Sequence, residues 1–177
     1  MTLFSRTMSL PPTGLLNAGL FQMAWLGFVA GAGAGQAWWG LPALVGLMAL
    51  SVYQQRWRAD FSWVLVALVY GAWLEWIWIH WQVLDYGSNS APWWILALWM
   101  SLALTLNHSL HWLRRQPWLA AALGALTAPL SYGAGEAFGA VTIGDGMIWI
   151  SLAWGLTFLL IFSLQRSSRF KLQEVRL

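Results

Sequence analysis

The stretch SWVLVALVYGAWLEWIWIHWQVL, residues 62–84, decides the fold: Glu75 and His80 are its only acidic or basic side chains. A hydrocarbon core of ~30 Å asks for about 20 mainly apolar residues in a helix, and this run meets that length. Directly before it stands Gln55-Arg56-Trp57-Arg58-Ala59-Asp60, a charged turn. Five further apolar runs flank it, at about 14–34 and 38–53 on one side and 92–113, 118–140 and 147–165 on the other. The nine Lys and Arg residues follow the runs in alternation. Arg6 precedes the first run, Arg56 and Arg58 follow the second, and Arg114 and Arg115 follow the fourth; Arg166, Arg169, Lys171 and Arg176 follow the sixth. The connections after the first, third and fifth runs hold neither residue. Short-loop Lys/Arg bias sets membrane orientation, so the pattern predicts an all-α polytopic membrane protein of six helices with both termini in the cytoplasm.

Composition agrees. Of 177 residues, 59% are hydrophobic and 8% charged, with a mean hydropathy of +0.60. Soluble domains carry roughly 25% charged residues. Six spans leave no room for a soluble domain, so residues 1–177 read as one membrane domain. The net charge of +3 is explained by the loop bias, and nucleic acid is not an expected partner. The chain has no cysteine, which removes disulfides, thiolate metal sites and cysteine nucleophiles. Arg6, an apolar stretch and Gly31-Ala32-Gly33-Ala34-Gly35-Gln36 imitate a signal peptide with its cleavage site. The stretch from Gly14 to Ala34 is too long for a signal core and reads as a retained first span.

Sixteen tryptophans are present. Trp38, Trp39, Trp93, Trp94 and Trp149 at one set of span ends, and Trp57, Trp112 and Trp118 at the other, fit interfacial aromatic belts. Trp73, Trp76, Trp78 and Trp81 crowd around Glu75 and His80. They read either as lipid-facing anchors or as the aromatic wall of a cavity for an acyl chain or isoprenoid, with Trp73 and Trp76 as its ligand-binding members. Gly27, Gly31 and Gly35, and Gly135 and Gly139, recur every four residues, the spacing that lets membrane helices approach closely. Pro129 in the fifth span frees backbone acceptors that need partners or line a cavity.

An ionisable group in mid-membrane is a functional-site candidate by default. Glu75 and Glu136 both fall in the outer half by depth, and His80 lies near the depth of Glu136. Glu75 and His80, five residues apart, point ~140° apart on a helix, so a Glu75–His80–Glu136 metal site is disfavoured. Neither a metal nor another cofactor is expected. At the other end, Asn107-His108-Ser109-Leu110-His111-Trp112 places His108 and His111 on one helical face. Asn17 and Gln22 enter from the same side, and with Asn107 they read either as interhelical hydrogen-bond partners or as a polar pocket for a lipid headgroup. No nucleophile elbow, phosphate loop or metalloprotease helix is present. Glu75, His108 and Glu136 are the candidate catalytic groups. A carboxyl buried without a cation favours its neutral form, so Glu75 is expected to donate to a partner such as Gln22 or Tyr132.

Three motifs, Asn17-x-x-x-Phe21-Gln22-x-x-Trp25, Asn107-His108-Ser109-Leu110-x-Trp112-Leu113 and Pro129-Leu130-Ser131-Tyr132-x-x-Gly135-x-x-x-Gly139-Ala140, resemble a family of small proteobacterial inner-membrane proteins of uncharacterised function. The resemblance implies a bacterial inner-membrane location. Genes of that family often accompany cyclopropane-fatty-acid-synthase-like methyltransferases and flavin amine-oxidase-like proteins. The leading expectation is therefore a lipid-binding accessory component in acyl-chain modification, with membrane lipid and a peripheral cytoplasmic lipid-modifying enzyme as partners. The alternatives are an intramembrane lipid-modifying enzyme using Glu75 and His108, and a small transporter.

Overall fold

The computed structural model describes residues 12–174, with side chains through Ser167. Its helices are α1 (Pro12–Gly33), α2 (Leu41–Tyr53), α3 (Trp57–His80), α4 (Trp93–Leu106), α5 (Pro117–Ala137) and α6 (Met147–Glu174). Short 3-10 turns at Ala37–Gly40 and His111–Arg115 precede α2 and α5. Two two-residue strands, β1 (Leu84–Asp85) and β2 (Thr142–Ile143), pair antiparallel with Leu84 opposite Ile143 and Asp85 opposite Thr142. They tie the α3–α4 connection to the α5–α6 connection and mark a hairpin end. Arg56, Arg58, Arg114 and Arg115 mark the opposite, basic end.

The protein is all-α, and α1, α3 and α6 are each long and apolar enough to cross a membrane. α2 and α4 are shorter apolar helices, 13 and 14 residues, or roughly 20 Å each at 1.5 Å per residue. Boundaries moved where local chemistry competes with hydropathy. α3 starts at Trp57 rather than 62, because Arg58 and Asp60 are compatible with a first helical turn. It ends at His80, where Gln82 turns to φ 56°. α4 stops at Leu106, seven residues before the expected end, because the amides of His108 and Leu110 both turn back onto the Thr105 carbonyl.

One buried cluster draws on all six helices, with Phe28, Leu47, Leu74, Trp99, Ala120 and Phe162 among its members. α4 is the central element, packed by α1, α2 and α3, with ten of its residues buried. A helix apolar on every side belongs in such a place. Its two polar residues are satisfied along the helix: Ser101 donates to the Ala97 carbonyl and Thr105 to the Leu102 carbonyl. α5 packs chiefly on α6. The small-residue spacing works as read for Gly27 and Gly31: a Cβ on Gly27 would lie 2.8 Å from the Gly40 Cα, and one on Gly31 2.5 Å from the Gln36 carbonyl oxygen. At Gly33 a Cβ would strike the Phe138 carbonyl, so α1 and α5 touch closely at the hairpin end.

Candidate functional site

The site starts from Gly71 and Glu75, one turn apart on α3. A Cβ on Gly71 would lie 2.5 Å from the Trp99 ring, so glycine alone lets that indole lie flat against α3. There its Nε1 donates to Glu75 Oε1 at 3.1 Å. Trp99 is held from its other sides by an edge-on contact with Tyr70 and a parallel stack on Trp154, at 4.7 Å and 11°. The Tyr132 hydroxyl, from α5, donates to the same Oε1 at 3.2 Å, and the Tyr86 hydroxyl, from the segment after β1, to Oε2 at 2.8 Å. Glu75 is 0% exposed. Burial, and then the adjacent Glu75 carboxyl, hold the Tyr86 phenol well above the usual tyrosine range, so it remains a donor.

Tyr86, Trp99 and Tyr132 form one wall of a cavity of about 580 Å³ between α1, α4, α5 and α6. Aromatic rings dominate its lining: Trp25, Trp94, Trp154 and Phe158 continue the wall. Its polar members are few, with Gln22, Thr127 and Ser131 chief among them, and among the described residues none that lines it is acidic or basic. This is the composition of a small-molecule site, an apolar hollow with sparse polar groups. Trp25 Nε1 donates to Ser131 Oγ at 2.8 Å, bridging α1 to α5 on the hairpin side. The lining also includes the exposed Gln22 of α1 and the exposed Thr127 and Leu130 of α5.

A second polar cluster closes the basic end. Asp60, expected in a solvated turn, is instead 0% exposed under the first turn of α3. Its Oδ2 accepts from Ser51 at 2.5 Å and lies 2.6 Å from His108 Nε2; its Oδ1 accepts from Asn107 at 2.8 Å. His108 Nδ1 lies 3.2 Å from Gln54 Oε1. This joins α2, α3 and the turn after α4. Asn17, 1% exposed, donates to the Leu104 carbonyl and accepts from the Ser109 amide and hydroxyl, locking α1 to the same turn. Because α4 has ended, His108 and His111 do not share a helical face: His111 Nδ1 turns to the His108 carbonyl at 2.8 Å. Burial, then the nearby Arg114, Arg56 and Arg115, hold the His111 imidazole below the ordinary histidine range.

The structure places the remaining candidate residues apart from one another. Trp73 and Trp76 are more than half exposed on the outer face of α3, and Trp76 stacks on His80 rather than facing the cavity. Glu136 is exposed, accepts the Ile143 amide at 2.9 Å and does not line the cavity, although Tyr132 stands one turn before it on α5. Asn17 and Asn107 are committed to interhelical hydrogen bonds and do not line the cavity. Glu75 accepts from Tyr132 rather than donating to it, and Gln22 lines the cavity with no hydrogen bond to Glu75. Glu75 and His108 do not form one site. Asp60, which holds His108, lies fifteen residues before Glu75 on α3, roughly 22 Å along the axis.

Asp60, Tyr86, Trp99 and Trp154 escaped sequence reading. Asp60 carries the faint signal of an acidic residue in the first turn before an apolar run. Gly71 one turn before Glu75 marks where a ring approaches.

Fold and site together define an all-α protein with helices able to cross a membrane, built around an aromatic cavity backed by a buried carboxyl. The chain belongs to the family described as Protein of unknown function (DUF2878), which matches residues 14–164. No curated protein and no solved structure matches it.

Proposed function

We propose that this protein is a six-span bacterial inner-membrane protein, both termini cytoplasmic, that holds the chain of a membrane lipid in its aromatic cavity. In this reading it is an accessory component for a peripheral enzyme that modifies acyl chains. The observation that carries it is the cavity itself, walled by Trp25, Trp94, Trp99, Trp154 and Phe158 and lined also by the exposed Gln22, Thr127 and Leu130 of α1 and α5. Those exposed lining residues lie midway along their helices, at the depth of hydrocarbon once α1 spans a bilayer. The outer faces support the same solvent: Met23, Val69 and Leu130 are exposed by 65, 74 and 73%. In water such faces would be a large liability; in lipid they are ordinary. Arg56, Arg58, Arg114 and Arg115 would meet anionic headgroups or an acidic partner surface on the cytoplasmic side.

Two measurements test it. Native mass spectrometry of the chain extracted in mild detergent is expected to find retained lipid, lost when the lining residues Leu130 and Thr127 are replaced by Trp to fill the cavity. A deletion strain is expected to show an altered fatty-acid profile when the acyl-modifying enzymes are active. An unchanged profile removes the accessory role; absence of lipid in the wild type removes lipid binding.

A further inference from the structure

At the basic end three arginines gather on one turn, and backbone geometry brings them there. α2 closes with the Arg56 amide on the Ser51 carbonyl at 3.0 Å and the Gln55 amide on the Val52 carbonyl at 2.9 Å. Such a paired closure needs a left-handed residue, which glycine usually supplies. Here Gln55 takes that conformation, at φ 55°, and so fixes the path of the chain into Arg56. Arg56 Nη1 then donates to the Asn107 carbonyl at 2.6 Å. The next carbonyl along, that of His108, accepts from His111 Nδ1 at 2.8 Å. Arg56 and His111 are therefore pinned on adjacent peptide groups. Arg114 follows His111 by three residues in the 3-10 turn His111–Arg115, where side chains three apart eclipse. Arg115 stands beside it, exposed. In keeping with this packing, Arg114, Arg56 and Arg115 all act on the charge of the His111 ring.

The acid at this end does not neutralise them. Asp60 is 0% exposed, and its two oxygens are taken by Ser51, Asn107 and His108. Arg56 has spent a donor on a carbonyl, which leaves its charge uncompensated. Arg58 differs: its guanidinium lies over the neighbouring Trp57 ring, 5.3 Å from the centroid. Clustered guanidinium groups favour an anion, and their forked donors match phosphate oxygens in pairs. Trp57 and Trp118, exposed by 50 and 78%, flank the cluster, and such side chains belong at headgroup level, which favours a lipid over a soluble phosphate. We propose that Arg56, Arg114 and Arg115 form a site for the phosphodiester group of an anionic phospholipid, with the turn after α4 as its floor. This rests on the reading that the basic end meets a membrane surface, and adds one headgroup chemistry and one place for it. The same turn contributes Leu110 and Leu113 to the cavity lining, so the phosphate site and the cavity share a piece of backbone.

The test titrates the full chain, delipidated in maltoside micelles, with dioctanoylphosphatidylglycerol and with dioctanoylglycerol, and counts bound lipid by native mass spectrometry. The phospholipid is expected to half-saturate the wild type at a mole fraction about tenfold lower than the diacylglycerol. R56Q keeps an amide donor for the Asn107 carbonyl and should remove most of that preference; R115Q should reduce it about threefold or more. R58Q removes the same charge two residues away and should change it by less than about twofold. A loss in R58Q equal to that in R56Q overturns the site, because the attraction is then spread over the whole basic face. If R56Q does not fold, R115Q against R58Q decides in the same way. Equal binding of both lipids by the wild type overturns the phosphate site and leaves the cavity reading intact; binding of neither overturns both. Release of the phospholipid by millimolar glycerol 3-phosphate overturns the lipid as occupant and assigns the site to a soluble phosphate ester.

Discussion

The indole of Trp99 occupies the space that a side chain on Gly71 would need, 2.5 Å from that missing Cβ, and the same indole hydrogen-bonds the carboxyl one turn further along α3. Helix register, ring position and the buried carboxyl are thereby one device. Gly71→Ala should displace the ring and cost ~1–3 kcal/mol by overpacking, reduced by the better helix propensity of alanine. Thermal unfolding in detergent measures it. An unshifted transition would show that the ring yields freely.

Glu75 accepts from three donors on three different segments. Glu75→Gln keeps an acceptor oxygen in the same volume and should preserve folding and abundance. Glu75→Ala leaves buried donors without a partner and should lose roughly 1–3 kcal/mol. A Glu75→Ala protein as stable as wild type would mean that the donors find other acceptors, and that the carboxyl does not organise the wall.

The Asp60–His108 pair is 1% exposed on both sides and is joined by Ser51 and Asn107. Removing one member of a buried pair strands the other, at a cost of roughly 3–5 kcal/mol. Asp60→Ala should therefore greatly reduce stability, whereas Arg58→Ala, on an exposed residue two positions earlier, should change it by less than about 0.5 kcal/mol. Similar small effects for both would refute a structural role for the cluster.

His111 titrates below its ordinary range of 6.5 in the folded protein because of burial and the surrounding arginines. As pH falls through about 6.5, the unfolded chain takes up this proton first, so the unfolded state binds more protons and stability declines. The stability contributed by the neutral form is complete above that pH and is lost progressively below it. His111→Gln should flatten this part of the unfolding profile between neutral and mildly acid pH. Superimposable profiles for the two proteins would remove His111 as a source of the dependence.

Topology is checked with reporter fusions. A reporter active only in the periplasm should be active when fused at Asn89 and inactive at Leu177. Either opposite result would overturn the six-span arrangement with cytoplasmic termini.

Hydropathy and the alternation of basic residues were enough to read an all-α chain with six helices near their observed places, because long apolar runs and loop charges are properties of the sequence itself. Glu75 was legible for the same reason: an ionisable group in such a run is costly wherever the chain folds. Its hydrogen-bond partners were not. Tyr86, Trp99 and Tyr132 come from a loop and two other helices, and only the packing of α3 against α4 and α5 brings them to one carboxyl. Helix rotation likewise decided that Trp73 and Trp76 face outward while Trp99 and Trp154 face in, since tryptophan is equally at home at a lipid surface and in a cavity wall. Asp60 shows the limit most clearly: beside Arg58 in the sequence it looks solvated, and only the early end of α4 carries Asn107 and His108 under it. Local sequence determines which segments become helices and which groups are costly to bury; contacts between distant segments determine which of those groups meet.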